Sequence, residues 1–115
     1  MEHLTDKTCV PCRGDEPPYT RGQIEEMHPQ VPDWDVVEVK NVPRLQREFK
    51  FKNFAEALTF TQKVGELAEE QGHHPVIVTT WGKVTVTWWT HKIKGLHQND
   101  FIMAAKTDKL YANLG

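Results

Sequence analysis

The chain has 115 residues, a hydrophobic content of 38% and a formal net charge of −2. That length predicts one domain with its own core, and the charge argues against binding nucleic acid or a membrane surface by bulk electrostatics. No run of about 18 apolar residues indicates a membrane span, and the start, MEHLTDKTCV, lacks the apolar stretch of a secretory signal. We therefore expect a cytoplasmic protein with reduced cysteines.

Residues 1–19 are rich in proline, glycine and charge, so we predict an irregular arm there and a single domain over residues 20–115. The arm carries Cys9 and Cys12, which could supply half of a zinc site. His3 and His28 are only loosely placed to complete such a site. A redox role would require a strand before the pair and a helix after it. We interpret the two thiols as free.

The first predicted helix begins after Thr20. Gln23 lies three residues later, a spacing typical of a capping box, and Ile24 and Met27 then share one face. The prolines of residues 29–32 end this helix.

Two strands are predicted next. Residues 34–39 are rich in β-branched side chains, and a turn at residues 41–43 separates them from the alternating run at 45–51. In that run, Arg47 is the exception on an otherwise apolar face.

The longest predicted helix begins after Asn53 and ends at Gly72, because Pro75 bars its continuation. Gly65 lowers its helix propensity by up to ~1 kcal/mol relative to alanine and could mark close packing against another helix. Apolar side chains recur at helical spacing: Ala57, Leu58, Val64, Leu67 and Ala68.

Residues 76–81 and 83–90 are β-rich and joined tightly around Gly82, which predicts a hairpin. A last helix follows from about Gln98. The predicted order is α-β-β-α-β-β-α, typical of an α+β fold in which helices cover one face of a four-stranded antiparallel sheet. In the second β-rich run, one face holds Val84, Val86 and Trp88, and the other holds Lys83, Thr85, Thr87, Trp89 and His91.

Three of the six histidines lie at the ends of this hairpin. His73 and His74 follow the long helix, and His91 ends the last predicted strand. If the strands pair about Gly82, residue 91 lies opposite residue 73, with Asp100 just beyond. Histidine exchanges protons near neutral pH, so this convergence indicates acid–base chemistry.

Each of these residues also has an ordinary structural interpretation. A histidine at a helix C-terminus interacts favourably with the helix dipole, and Asp100 falls where a carboxylate stabilises free N–H groups. Trp81, Trp88 and Trp89 could be core or interface aromatics. Three histidines could hold catalytic zinc, although successive side chains in an extended turn point to opposite sides.

The pattern as a whole resembles the signature of pterin-4a-carbinolamine dehydratases. The resemblance covers about residues 20–112 and rests on Glu69-x-x-x-His73-His74-Pro75, Trp81-Gly82-Lys83-Val84, Thr90-His91, Gly95-Leu96 and Asp100. The chain departs from some members at residues 76–78, where it lacks an acidic residue and two aromatics, and at His97, where a threonine is common.

The resemblance implies four antiparallel strands with helices on one face, no metal and no organic cofactor. It also implies homodimers joined at their sheet edges, often paired into tetramers through the long helix. The implied reaction removes water from a 4a-hydroxytetrahydropterin to give a quinonoid dihydropterin, which regenerates the cofactor of aromatic amino-acid hydroxylases.

The resemblance further implies that His73 and His74 form the acid–base pair and that His91 assists. The residues expected to bind substrate or support the histidines are Glu69, Pro75, Trp81, Thr90 and Asp100. Glu69 and Asp100 would fix imidazole tautomers, and Pro75 and Trp81 would build a flat pocket. A non-catalytic dimerisation or scaffold protein of the same fold is the alternative.

Overall fold

The computed structural model describes residues 4–7 and 17–114. The elements follow the predicted order: α1 (Arg21–Met27), β1 (Asp35–Val39), β2 (Val42–Lys50), α2 (Phe54–Gln71), β3 (Val76–Thr80), β4 (Lys83–Trp88) and α3 (Gln98–Asn113). Short 3-10 helices cover Leu4–Asp6, His28–Gln30 and His91–Ile93. No helix within the described residues is long and apolar enough to cross a membrane.

The four strands form one antiparallel sheet in the order β1-β2-β4-β3. Helices α2 and α3 pack on one face of this sheet, so the predicted fold class is confirmed. Burying each large apolar side chain contributes roughly 1.5–3 kcal/mol, and the core between the layers is built from fully or almost fully buried residues: Leu45, Phe49, Val84, Val86 and Trp88 from the sheet, Phe60 and Val64 from α2, and Phe101, Ile102 and Met103 from α3.

The predicted helix starts are confirmed. Thr20 and Gln23 form a reciprocal capping box on α1. Asn53 accepts a 2.9 Å hydrogen bond from the backbone N–H of Glu56 at the start of α2. Gly72 ends α2 in the left-handed region, with φ of 65°.

Two details of α2 differ from the prediction. Leu58 is 51% exposed, whereas Phe60 is fully buried. The buried stripe runs through residues 57, 60, 64 and 68, and at about 100° per residue Leu58 falls outside it. A Cβ added at Gly65 would meet no atom within 4 Å beyond the neighbouring backbone of its own helix, so Gly65 does not pack against another helix in the described part of the chain.

The turn between β1 and β2 also differs. Lys40 and Asn41 have positive φ values of 54° and 65°, the backbone of a two-residue hairpin turn. Val42 and Pro43 therefore already belong to β2, pairing with Val39 and Glu38.

Arg47, the charged residue on the apolar face of β2, has a half-buried partner. Its guanidinium donates to Asp108 of α3 at 2.6 Å, and Trp34 donates to the same carboxyl oxygen at 2.8 Å. Burial raises the pKa of Asp108 above its ordinary value, against the lowering effect of the hydrogen bonds from Trp34 and Arg47. This pair accounts for a cation at a position that periodicity assigned to the core.

Part of the predicted arm packs against the domain. Leu4 is only 5% exposed, and Lys106 donates to the backbone oxygen of Thr5 at 3.0 Å. Cys9 and Cys12 lie outside the described residues.

Candidate active site

The site is organised around Asp100, a carboxylate with no solvent exposure in the first turn of α3. It accepts three hydrogen bonds: from His73 Nε2 at 2.7 Å, from Thr90 Oγ1 at 2.8 Å and from the backbone N–H of His97 at 2.9 Å. The last bond caps the helix. Burying a carboxylate is costly unless it is hydrogen-bonded, so these donors make the position tenable. The sequence suggested two partners for Asp100, the free N–H groups of the helix N-terminus and an imidazole, and Asp100 contacts both.

His73 is fixed from two directions. Its side chain is 11% exposed, and its ring stacks on Trp88, with centroids 5.7 Å apart and planes 8° apart. Trp88 is in turn held by a 3.2 Å hydrogen bond from its Nε1 to Thr107. Because an ionised carboxylate can only accept, the Nε2 atom that faces Asp100 carries the proton. A neutral His73 therefore has its lone pair on Nδ1.

His74 lies in a different environment, although it is the next residue. Its side chain is 62% exposed, and its Nε2 bonds Glu69, which is itself 78% exposed. Glu69 belongs to the last turn of α2, and the left-handed Gly72 turns the chain back toward it. The second histidine is therefore paired with a carboxylate in contact with solvent.

The expected meeting of His73 with His91 rests on a register that the structure corrects. β3 and β4 pair Thr80 with Lys83 and Val76 with Thr87, so Trp81 and Gly82 together form a two-residue turn. Two-residue loops are the favoured hairpin connection, whereas pairing about Gly82 alone would leave one residue for the turn. Extended by three positions, the observed register places Thr90 opposite His73, in agreement with their shared partner Asp100.

His91 follows the end of β4 and begins a 3-10 helix. Its ring contacts Trp89, with centroids 4.2 Å apart and planes tilted by 34°. Successive strand residues point to opposite faces. His73 and His91 therefore contact two successive tryptophans, Trp88 and Trp89, whose rings lie on opposite faces of the sheet.

Trp81 lies away from the histidines of its own chain. It is 71% exposed in the turn between β3 and β4, whereas Pro75 and the paired histidines precede the other end of β3. The five residues of β3 span about 16 Å. The flat pocket expected from Pro75 and Trp81 is therefore not formed by one copy of the chain.

Two neighbours of the site were missed by the sequence reasoning. The ring of Tyr19 lies 4.8 Å from that of His97, and its pKa is raised, first by burial and then by the charges of Asp100 and Glu26. Arg44 contacts Trp89. A tyrosine directly before the cap of α1 resembles a hydrophobic staple, which could have drawn attention to Tyr19; no local signal indicated Arg44.

Within residues 4–7 and 17–114, no group of three His, Cys, Asp or Glu side chains is placed to hold a metal ion. A cavity of about 670 Å³ does lie beside Tyr19, bounded by α1, β1 and the start of β2. None of the three candidate histidines lines it.

The chain matches proteins of one family. The family model described as "Pterin 4 alpha carbinolamine dehydratase" matches residues 17–110. A Nitrosococcus oceani protein named "Putative pterin-4-alpha-carbinolamine dehydratase" is 64% identical over 110 residues, covering 96% of this chain and 97% of the relative. A Syntrophotalea carbinolica protein of the same name is 58% identical, covering 96% and 98%.

Two solved structures are also similar. A "transcriptional coactivator/pterin dehydratase" from Brucella melitensis has a TM-score of 0.73 and 29% identity, covering 82% of this chain and 98% of that one. A "pterin dehydratase-like protein" described as "a RuBisCO assembly factor in the alpha-carboxysome" has a TM-score of 0.59 and 25% identity, covering 69% and 89%.

Proposed function

The chain belongs to the pterin 4 alpha carbinolamine dehydratase family, and from that membership we propose that it removes water from a 4a-hydroxytetrahydropterin by histidine acid–base catalysis. The product is a quinonoid dihydropterin. The observation that carries the proposal is the pair of consecutive histidines, each bonded through Nε2 to a carboxylate, Asp100 or Glu69. The proposed setting is the cytoplasm, in tetrahydropterin recycling beside an aromatic amino-acid hydroxylase.

The reaction needs one proton delivered and one removed. The N5 lone pair expels the 4a-hydroxyl group, an acid protonates the departing oxygen, and a base takes the proton from N5 as the C4a=N5 bond forms. The proton from the acid and the hydroxyl group leave together as water, and the N5 proton stays on the base. Each such transfer by a positioned side chain contributes about 10²–10⁴-fold.

We assign the base role at N5 to His73. Its Nε2 proton is held by Asp100, so Nδ1 has the lone pair that accepts a proton, and the carboxylate stabilises the imidazolium that results. Thr90 and the helix N-terminus hold Asp100 in place. The buried dyad thus has a fixed orientation suited to a base.

We assign the acid role at the hydroxyl group to His74. Solvent reaches its side chain, so its proton can be replaced after each turnover. Glu69 orients the ring through the bond to its Nε2 atom. His91 would assist as a second acid or by orienting the pterin, and Pro75 would contact the ring system.

The experiment is the decay of enzymatically generated 4a-carbinolamine, followed with and without this protein. We expect clear acceleration over the spontaneous rate. Decay at the spontaneous rate in the presence of folded protein would refute the proposed activity.

We also propose that copies of the chain associate as dimers or tetramers. β3 is an edge strand on which Val76 and Val78 are 44% and 51% exposed, a surface suited to pairing with another strand. Antiparallel pairing of two β3 strands about Val78 would place Trp81 opposite Pro75 of the partner subunit. Light scattering should then give a multimer that Val78→Glu reduces in mass; a monomeric wild type would exclude this arrangement.

A scaffold function is the second candidate, favoured by the likeness to a solved structure that is described as a RuBisCO assembly factor. The exposed apolar side chains Phe54 and Leu58 on α2 would be the contact surface. His74→Ala separates the two candidates. If this variant fully complements a deletion strain, the cellular role is the scaffold; if complementation is lost, the role is catalytic.

A further inference from the structure

Arg44, Trp89 and His91 form a row of contacting side chains, with Trp89 in the middle. Trp88 and Trp89 are consecutive, so their rings lie on opposite faces. The Trp88 ring, on the face covered by the helices, has its centroid 5.7 Å from that of His73. The Trp89 ring, on the outer face, has its centroid 4.2 Å from that of His91. Each tryptophan is thus paired with one candidate catalytic histidine.

The outer tryptophan has a cation against it. β2 and β4 pair Leu45 with Trp88, so the next position brings Arg44 opposite Trp89. The guanidinium carbon lies 4.0 Å from the centroid of the Trp89 ring, within the range of a cation–π contact. Helices α2 and α3 cover the opposite face of the sheet, yet Trp89 is only 8% exposed.

Hydrogen bonding alone does not account for Arg44. Its Nη2 atom donates to the backbone oxygen of Val39 over a long 3.4 Å. Its Nε atom is buried and has no hydrogen-bond partner in the part of the chain that the structure describes. A buried, unpaired donor costs free energy, and such a group in a folded protein requires an explanation. The short contact with the Trp89 ring is the main interaction that this cation makes.

We propose that Arg44 is a positioning residue, whose guanidinium holds the Trp89 ring so that this ring holds the His91 imidazole in the orientation used for dehydration. The inference rests on the proposed function. His73 contacts a carboxylate and a stacked ring, whereas His91 contacts a tilted ring that a cation contacts in turn. Arg44 itself touches neither the substrate nor the reacting atoms in this arrangement.

A double-mutant cycle in the dehydration assay tests this coupling. Arg44→Met should lower kcat by roughly 3–10-fold with KM changed less than about twofold, because orientation and not substrate binding is lost. Arg44→Lys keeps the charge without the flat guanidinium and should fall between Arg44→Met and wild type. Arg21→Met removes an equal charge from an exposed residue and should leave kcat unchanged.

The deciding comparison uses the His91→Ala background, in which Arg44→Met should have no further effect. An equal loss in both backgrounds would show that Arg44 acts independently of His91 and would overturn the proposal, as would an unchanged kcat for Arg44→Met alone. Arg44→Lys provides the same comparison if Arg44→Met does not fold.

A second readout does not depend on the dehydratase activity. Imidazole NMR signals, assigned with the His73→Ala and His91→Ala variants, should show the His91 ring signals shifted in Arg44→Met and those of His73 unchanged. If wild-type protein is inactive but this shift occurs, the proposed function fails and the positioning contact stands. Unchanged His91 signals would overturn the positioning role whether or not the protein is active.

Discussion

His73 and His74 are neighbours in the chain, and each bonds a carboxylate through Nε2, yet their surroundings differ sharply. The first pair is buried, with side-chain exposures of 11% and 0%; the second is open, with 62% and 78%. Solvent-exposed ion pairs contribute about 0–1 kcal/mol, whereas removing one partner of a buried pair costs about 3–5 kcal/mol. A histidine–carboxylate pair is therefore buried at one position and exposed to solvent at the next.

The largest expected difference between the two pairs is in the carboxylates. Asp100→Ala removes the acceptor for three donors, so we expect the free energy of unfolding to fall by about 3 kcal/mol or more. Glu69→Ala should change it by less than about 1 kcal/mol. Chemical denaturation of both variants measures the difference, and equal losses would contradict the contrast between a buried and an exposed pair.

The histidines themselves should show the same order with smaller values. His73→Ala removes a mostly buried ring and one of three hydrogen bonds to Asp100. Because Thr90 and the backbone N–H of His97 still bond the carboxylate, we expect a loss of about 1–2 kcal/mol, less than for a buried partner left with no donor. His74→Ala lies on the surface and should stay within ~0.5 kcal/mol. Thermal unfolding of the two variants checks this order; a larger loss for His74→Ala would reverse it.

The smallest expected effect concerns Tyr19 at alkaline pH. Its pKa is raised above the ordinary 10.0, first by burial and then by Asp100 and Glu26. The folded chain thus keeps this proton to a higher pH than the unfolded chain. The associated stability is fully present below pH 10 and is lost as pH rises through the folded pKa.

Tyrosinate absorbance in a Tyr111→Phe background isolates the titration of Tyr19, because the chain has two tyrosines. Asp100→Asn should move the midpoint partway back toward its ordinary value, since burial remains and one negative charge is removed. An unchanged midpoint would separate Tyr19 from the Asp100 cluster.

Local rules predicted most of the fold from the sequence. The caps at Thr20 and Asn53 and the stop at Gly72 depend on residues within four positions of one another. His73 and Asp100 are distant in the chain. Their contact could still be suggested, because the last helix was predicted to begin just beyond the end of the β3–β4 hairpin.

Interactions across the sheet were not predictable in the same way. The register error arose because a glycine marks a turn without fixing how many residues form it, and one residue of slip exchanges Thr90 for His91. The Arg44–Trp89 contact depends on the pairing of β2 with β4, strands separated in the chain by α2 and β3. Which face of α2 is buried likewise depended on the partners of the helix, so Leu58 was misassigned.

The most direct test of the central claim is the dehydration rate of the three single histidine variants, each normalised to folded protein. We expect His73→Ala and His74→Ala to lose about 10²-fold or more in kcat, and His91→Ala to lose less, because it only assists. Circular dichroism establishes the folded fraction of each sample. If His73→Ala and His74→Ala keep the wild-type rate per folded molecule, the paired histidines are structural and the proposed mechanism is wrong.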